Sequence, residues 1–359
     1  MKEVSVYGAK TLRRYTKDIL VSGLRKNGLE ANEVPLNTVS DTDMVLLQLH
    51  GAPQADADDK AILKQIQNVL QRDDSTKVVV LLHRPDELQK FSDIRDIVLS
   101  YRKKFGLVFF GDKYTRDPFY STNAWVTKKI IPHGFFPMEP FQKILQTDPV
   151  VIGTHTTWGE MRSVEHALRL LSEIFHLAGN NENIVGYLGG KPADALRIDS
   201  LAKSYQSIDP QGQTAFLDVH AYPDLHEAIK KNKGNNVVLI DNEDKQPTYF
   251  SVTFNIQLYY FGDKVRLGES SGSAHTAVSI PVVLEMNGAE VVEDIRVIKI
   301  PYNNVNDISR IDFTHGAQAM IRSIRNGSYK DMLRHNAQQA EIWNNARIGK
   351  EYVQLFNEL

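Results

Sequence analysis

Arg266-Leu267-Gly268-Glu269-Ser270-Ser271-Gly272-Ser273 packs two glycines, three hydroxyls, one acid and one arginine into eight residues. Such a loop before a helix aims several backbone N–H groups at an anion, and the helix dipole adds to the attraction. Glu269 would accept hydrogen bonds from sugar or ribose hydroxyls. Ser and Gly also cluster in plain surface turns, so the composition fits either reading. Two histidines close apolar runs: His83 follows Lys77–Leu82, and His50 follows Asp43–Leu49. Ligands of doubly wound sheets bind beyond the carboxyl ends of strands, which is where both imidazoles would stand. A polar strand terminus that happens to be His is the alternative. His133 follows the run Lys129–Ile131, His220 ends Phe216–His220, and His275 follows the glycine-rich loop. Tyr249, Tyr259 and Tyr260 could stack on a base or join a core. Asp18, Asp58 and Asp59 read as caps and surface acids. No carboxylate pair is spaced for glycosidase chemistry and no His/Asp/Glu cluster asks for a metal. A Walker loop is absent.

The elements that must carry these groups alternate. Val4–Tyr7, Glu33–Leu36, Asp43–Leu49, Lys77–Leu82, Leu107–Phe110 and Lys129–Ile131 read as strands. Helical runs lie between them: one with Leu12, Ile19, Leu20 and Leu24 on one side, then Asp58–Arg72 and Phe91–Phe105. Strands that are apolar throughout are buried on both faces, which points to a parallel sheet covered by helices. After a proline-bearing linker, Phe135–Asp148, the pattern restarts. Pro149–Gly153, Asn183–Gly186, Phe216–His220, Asn236–Ile240, a strand stopped at Pro281, and Val291–Pro301 are its strands. Helices are expected from Met161 to Gly179, over Ala193–Tyr205 and over Leu225–Lys231. Thr248–Phe261 fits helix or strand. A long helical stretch from about Asn326 to Leu359 carries Ile342, Ala346, Gly349, Val353 and Phe356 as one apolar stripe. The fold class is α/β, with two tandem doubly wound, Rossmann-like domains.

Composition removes several functions. The chain has 359 residues, with 42 Lys and Arg against 44 Asp and Glu. No global positive field exists to draw in nucleic acid. Without cysteine there is no disulfide, thiolate metal site or cysteine nucleophile. The start Met1-Lys2-Glu3-Val4-Ser5-Val6 lacks an apolar leader, and no apolar run nears the roughly 18 residues of a membrane span. The expectation is a cytoplasmic protein.

The segment Arg266 to Pro301, RLGESSGSAHTAVSIPVVLEMNGAEVVEDIRVIKIP, resembles the donor-binding segment of family 4 glycosyltransferases of the GT-B fold, in the subgroup whose loop reads GE-S-GS. Ile131-Pro132-His133-Gly134-Phe135 is similar to the family's IPNGV segment. Gly153, the following helix and Ile184-Val185-Gly186 resemble its next strand-helix-strand run. The last residues resemble the closing helix that crosses back onto the first domain. The resemblance implies GT-B architecture: residues 1–140 an acceptor-side domain, 149–335 a nucleotide-sugar domain, and 336–359 the returning helix. It implies a retaining, metal-independent transfer of a sugar to an acceptor hydroxyl in the interdomain cleft, with no cofactor beyond the nucleotide-sugar donor. By the same token His83 and Glu269 would be catalytic, and Arg162, Arg266, Gly268, Ser270, Ser271, Gly272 and Ser273 would bind the donor. His50 and His133 would face the acceptor or cleft. Partners would be a nucleotide-sugar and an acceptor glycan or lipid, with a peripheral membrane contact through clusters such as Arg102-Lys103-Lys104 and Lys231 with Lys233. Two departures stand out. The family's first phosphate-gripping Arg has no counterpart in Gly153–Arg162, and Ala277 replaces the second Glu of its E-x7-E motif. They motivate an alternative, a catalytically degenerate GT-B domain that binds a glycan or protein. A nucleotide-sugar epimerase on the same fold is a third reading.

Overall fold

The computed structural model describes residues 2–13, 15–39, 41–49, 56–72, 75–83, 105–110, 127–132, 134, 149–158, 163–179, 183–222, 224–232, 235–241, 252–257, 279–285, 295–301 and 311–359. Among them are two wholly parallel sheets. The first contains β1 (Glu3–Gly8), β2 (Glu30–Glu33), β3 (Met44–Leu49), β4 (Lys77–Leu82), β5 (Phe105–Phe109) and β6 (Thr127–Ile130), in the order β2-β1-β3-β4-β5-β6. The chain fills one side of β1 with β2 and the other with β3 to β6. The topological switch point therefore lies between β1 and β3.

This sheet is buried on both faces, as its apolar strands require. One face packs on α2 (Asp56–Arg72) through Ile62, Leu63 and Val69. The other is covered by a π-helix, Tyr15–Val21, by α1 (Ser22–Lys26) and by residues 348–356 from the far end of the chain. The strand expected at Glu33–Leu36 is instead β2, Glu30–Glu33. It is a polar edge strand in which Ala31 alone is fully buried, so it gives little apolar signal. Phe105, expected to end a helix, opens β5. Asp59, expected on the surface, is fully buried.

The second sheet contains β7 (Val150–Thr157), β8 (Ile184–Lys191), β9 (Thr214–Asp218), β10 (Asn236–Asp241), β11 (Phe254–Gln257), β12 (Ile280–Glu285) and β13 (Ile298–Pro301). Their order is β13-β12-β11-β7-β8-β10-β9. Its switch point lies between β7 and β11. α3 (Val164–Ala178), α4 (Ile198–Ile208), α6 (Phe313–Arg325) and α7 (Ser328–Ile342) contribute to the core on one face, and α5 (Leu225–Lys231) covers the other. Pro281 does not stop its strand. It pairs with Asn255 as the second residue of β12, near the strand start, where a missing N–H costs least.

The C-terminal stretch is two helices. α7 ends at Ile342, and α8 (Asn345–Glu358) restarts at Asn344, whose Oδ1 accepts from Arg347 N at 3.1 Å. That N-cap bond satisfies a first-turn donor and permits the change of direction. α7 stays with the second sheet: Asn336 Nδ2 donates to Ser279 O and Arg296 O. α8 packs on the first domain, burying Ile348, Tyr352, Leu355 and Phe356. Ile342, expected in the apolar stripe, is 53% exposed. The structure shows a close crossing of α8 over α1. A Cβ on Gly349 would collide with the backbone of Gly23, and one on Gly23 with the carbonyl of Asn345. Asn345 Nδ2 reaches Asp18 O and Ser22 Oγ, Lys26 Nζ reaches Asn345 Oδ1, and Lys77 Nζ donates to Phe356 O at 2.6 Å.

Candidate functional site

Polar groups gather toward the carboxyl ends of strands in both sheets, in the first of them beside the switch point. In the first sheet Gly8 of β1 and Gln48 of β3 are register partners. Gln48 is the one polar residue in the run MVLLQL and is fully buried. Burying an amide is costly unless it is hydrogen-bonded, and this one is: Nε2 donates to Thr16 Oγ1 at 2.7 Å and Oε1 lies 3.4 Å from His83 Nε2. Thr16 Oγ1 in turn donates to Leu12 O at 3.0 Å. His83 stands just past β4, its backbone N–H on Leu49 O. Its ring is held edge-on by Tyr15, with centroids 5.3 Å apart, and by Phe110, at 4.9 Å. Tyr15 and Thr16 come from the π-helix. Such wide turns occur disproportionately at functional sites.

In the second sheet His155 of β7, Gly189 of β8 and Asp241 of β10 lie in one register row. Tyr187, two residues before Gly189, shares that face, and its hydroxyl donates to Asp241 Oδ2 at 3.0 Å. Asp241 is 1% exposed, and its other oxygen meets His220 Nε2 at 2.9 Å. His220 is not the last residue of its strand. β9 ends at Asp218, and His220 lies in the following turn, with its backbone N–H on Asp218 Oδ1. Trp158, the residue after β7, donates its indole N–H to Gly189 O at 3.0 Å, tying the tips of β7 and β8 together. Gly190 has φ +124°, and a Cβ there would strike the Thr156 carbonyl. A side chain is excluded where these two tips meet.

Of the site residues the resemblance assigns, His83 is among the described residues. Glu269, Arg162, Arg266, Gly268, Ser270, Ser271, Gly272, Ser273, His50 and His133 lie outside the described residues, as do His275, Tyr249, Tyr259 and Tyr260. Residues adjacent to His50, His133 and Arg162 are described, whereas the described residues nearest to Arg266–Ser273 are Gln257 and Ser279. The chain leaves β7 at Trp158 and β11 at Gln257, both at carboxyl ends flanking the switch point, and returns to the second sheet at β12. Sequence reasoning missed Gln48, Thr16, Tyr187 and Asp241. For Gln48 the signal was present, a single amide inside an apolar strand.

No family model matches this sequence, and no curated protein matches it. Solved structures do resemble its fold. A UDP-forming α,α-trehalose-phosphate synthase from Burkholderia vietnamiensis is 9% identical with TM-score 0.52, over 88% of this chain and 71% of that one. S. aureus MnaA, in a co-structure with UDP, is 10% identical with TM-score 0.51, over 98% of this chain and 95% of that one. An α-glucosyltransferase in complex with UDP and a mismatched 13-mer DNA is 13% identical with TM-score 0.50, over 99% of both chains. At these identities the likeness is one of fold. The two parallel-sheet, Rossmann-like domains with C-terminal helices fit the GT-B fold of these neighbours. Among the described residues no helix is long and apolar enough to cross a membrane.

Proposed function

We propose that this chain is a GT-B glycosyltransferase that moves a sugar from a nucleotide-sugar to an acceptor hydroxyl, with retention of anomeric configuration and without a metal. What supports the reading is sequence order: the Arg266–Ser273 segment, whose sequence resembles a donor loop, comes in the chain after β11, a strand that borders the switch point, and before β12. Ligands of doubly wound sheets bind beside the switch point. Structural neighbours of the same fold bear the names of a UDP-forming synthase and an α-glucosyltransferase, which supports the same class of chemistry.

The chemical problem is a leaving diphosphate that gains negative charge as the glycosidic bond breaks. Backbone N–H groups of Ser270–Ser273, with Arg266 and Arg162, would stabilise that charge. Glu269 would hold sugar hydroxyls, and His83 would orient the reacting sugar.

The test is a thermal-shift screen of UDP, GDP, ADP and CMP and their common sugars against wild type and Glu269→Ala. A ligand at a hundred times its dissociation constant adds about 2.7 kcal/mol of stability, visible as a shift of several degrees. A shift with one nucleotide-sugar, reduced in the variant and unchanged by EDTA, is the expected result. No shift with any of them would overturn the donor-loop reading.

A further inference from the structure

The first strand delivers the chain to the switch point, and the segment that follows it is basic. β1 ends at Gly8, and a 3-10 turn, Lys10–Leu12, precedes Arg13 and the π-helix. Tyr15, Thr16, Ile19 and Leu20 are buried, whereas Lys10, Arg13 and Lys17 are exposed. Residues three apart eclipse on a 3-10 turn, and residues four apart are neighbours on a helical surface. The three cations therefore share one side of the segment. Thr16 Oγ1 accepts from Gln48 Nε2 at 2.7 Å, which ties this segment to β3 across the switch point. No ion pair or side-chain hydrogen bond engages any of the three cations among the described residues. Elsewhere helical cations have an acid one turn away: Arg169 with Glu165, Lys231 with Glu227, Arg347 with Glu351. Acids close to this segment are engaged differently. Asp58 Oδ2 accepts from the backbone N–H of Lys10 at 2.9 Å, Asp56 pairs with Lys60, and Asp18 makes no pair with Lys17 beside it. Like charges at this spacing repel, so an anion seated across them would relieve the repulsion.

We propose that Lys10, Arg13 and Lys17 form an anion subsite at the carboxyl end of β1, and that it receives a phosphate monoester carried by the acceptor. Such a phosphate has a charge of about −1.5 to −2 at neutral pH and three acceptor oxygens. That suits a group of cations of which one is a guanidinium able to bond two oxygens at once. Ligands of doubly wound sheets bind beyond strand ends of this kind. That the phosphate belongs to an acceptor rests on the glycosyl-transfer reading; the anion subsite does not. A lipid surface fits less well. The large apolar side chains that stand exposed among the described residues are Tyr222 and Ile342. Neither is on this segment, and a membrane-surface helix needs an apolar face beside its cations.

Calorimetric titration of the full-length protein, with no nucleotide present, tests this with inorganic phosphate and glucose 6-phosphate as probes and glucose as the neutral control. Both phosphates should bind, and glucose at the same concentration should not. Lys10→Gln, Arg13→Gln and Lys17→Gln should each weaken glucose 6-phosphate about 2–5-fold, the range of exposed charge contacts, and the triple variant at least about tenfold. Exposed substitutions of this kind leave stability nearly unchanged, so matching melting curves show that the variants are folded. Lys203→Gln, at an exposed position of α4, should change nothing. Failure of both phosphates to bind, equal binding of glucose, or a triple variant no weaker than Lys203→Gln would overturn the proposal. So would capture by phosphatidylglycerol vesicles that the triple variant loses while neither phosphate binds, because the patch would then be a membrane contact. Once a donor is known, the triple variant should raise KM for a phosphorylated acceptor with kcat little changed; an unchanged KM would overturn the acceptor assignment. If no nucleotide-sugar binds but the phosphates do, and the triple variant loses them, the function proposed above fails and the anion subsite stands.

Discussion

Substituting Gly349 by Ala tests how α8 is held on the first domain. A Cβ at this position would land on the backbone of Gly23. A backbone cannot rotate aside as a side chain can, so the helices must separate, by about 1 Å for ordinary contact to return. A gap of that size forfeits roughly a quarter to a half of the dispersion energy across it. The surface at risk is large. Ile348, Tyr352, Leu355 and Phe356 are essentially fully buried, and at about 1.5–3 kcal/mol each they represent roughly 6–12 kcal/mol of gross burial. Losing a quarter of it costs about 2–3 kcal/mol. Alanine returns about 1 kcal/mol through its better helix propensity, which leaves a net loss of about 1–2 kcal/mol. For a domain of this size each kcal/mol moves the midpoint by about 2–4 °C, so calorimetry should show the first domain melting roughly 2–8 °C lower. Gln354→Ala, on the exposed face of the same helix, should change stability by no more than about 0.5 kcal/mol. If Gly349→Ala is as neutral as that control, or stabilises by its propensity gain, the close-crossing argument is wrong.

Three other outcomes are expected. Asp241→Ala removes the carboxylate that accepts from the Tyr187 hydroxyl and meets His220 Nε2 and should cost about 1–3 kcal/mol in urea unfolding; a loss under about 0.5 kcal/mol would show that these bonds were dispensable. Burial holds His166 below the ordinary histidine pKa, partly offset by Glu165. The unfolded chain therefore binds the proton first, and the second domain should lose stability as pH falls through the ordinary value of about 6.5 and below; His166→Gln should flatten that slope in urea midpoints, and an unchanged slope would contradict it. Trp158→Phe removes one buried indole hydrogen bond to Gly189 O and should cost about 0.5–1.5 kcal/mol, measured by chemical denaturation; a neutral result would mean the two strand tips hold together without it.

The legible parts of the fold were those where burial writes directly into residue type. β3 and β4 are apolar at nearly every position, and the stripe Val164, Leu168, Leu171 and Phe175 specified α3. The π-helix escaped notice because the spacing of Leu12, Ile19, Leu20 and Leu24 suits a regular helix equally well. The break at Trp343–Asn344 was written only in an N-cap asparagine inside an otherwise helical run. In the site, His83 was visible as a polar residue at a strand end. Tyr187, Asp241 and His220 were not readable as a group, because they come from one strand, another strand and a turn. Only register brings them together.

The crossing of α8 also has a consequence for how the protein is made. The groove between the π-helix, α1 and the first sheet is filled by Ile348, Tyr352, Leu355 and Phe356, which are translated long after Ile131, the last of that core from the first half of the chain. At about 5–20 residues per second the ribosome needs roughly 10–45 s to cover that interval. Throughout it the first domain presents an unfilled apolar seam. The second domain owes that core no residues and can close as soon as α7 emerges. The half of the protein synthesised first is therefore the half completed last, and a nascent chain arrested before α8 should be the species that chaperones hold.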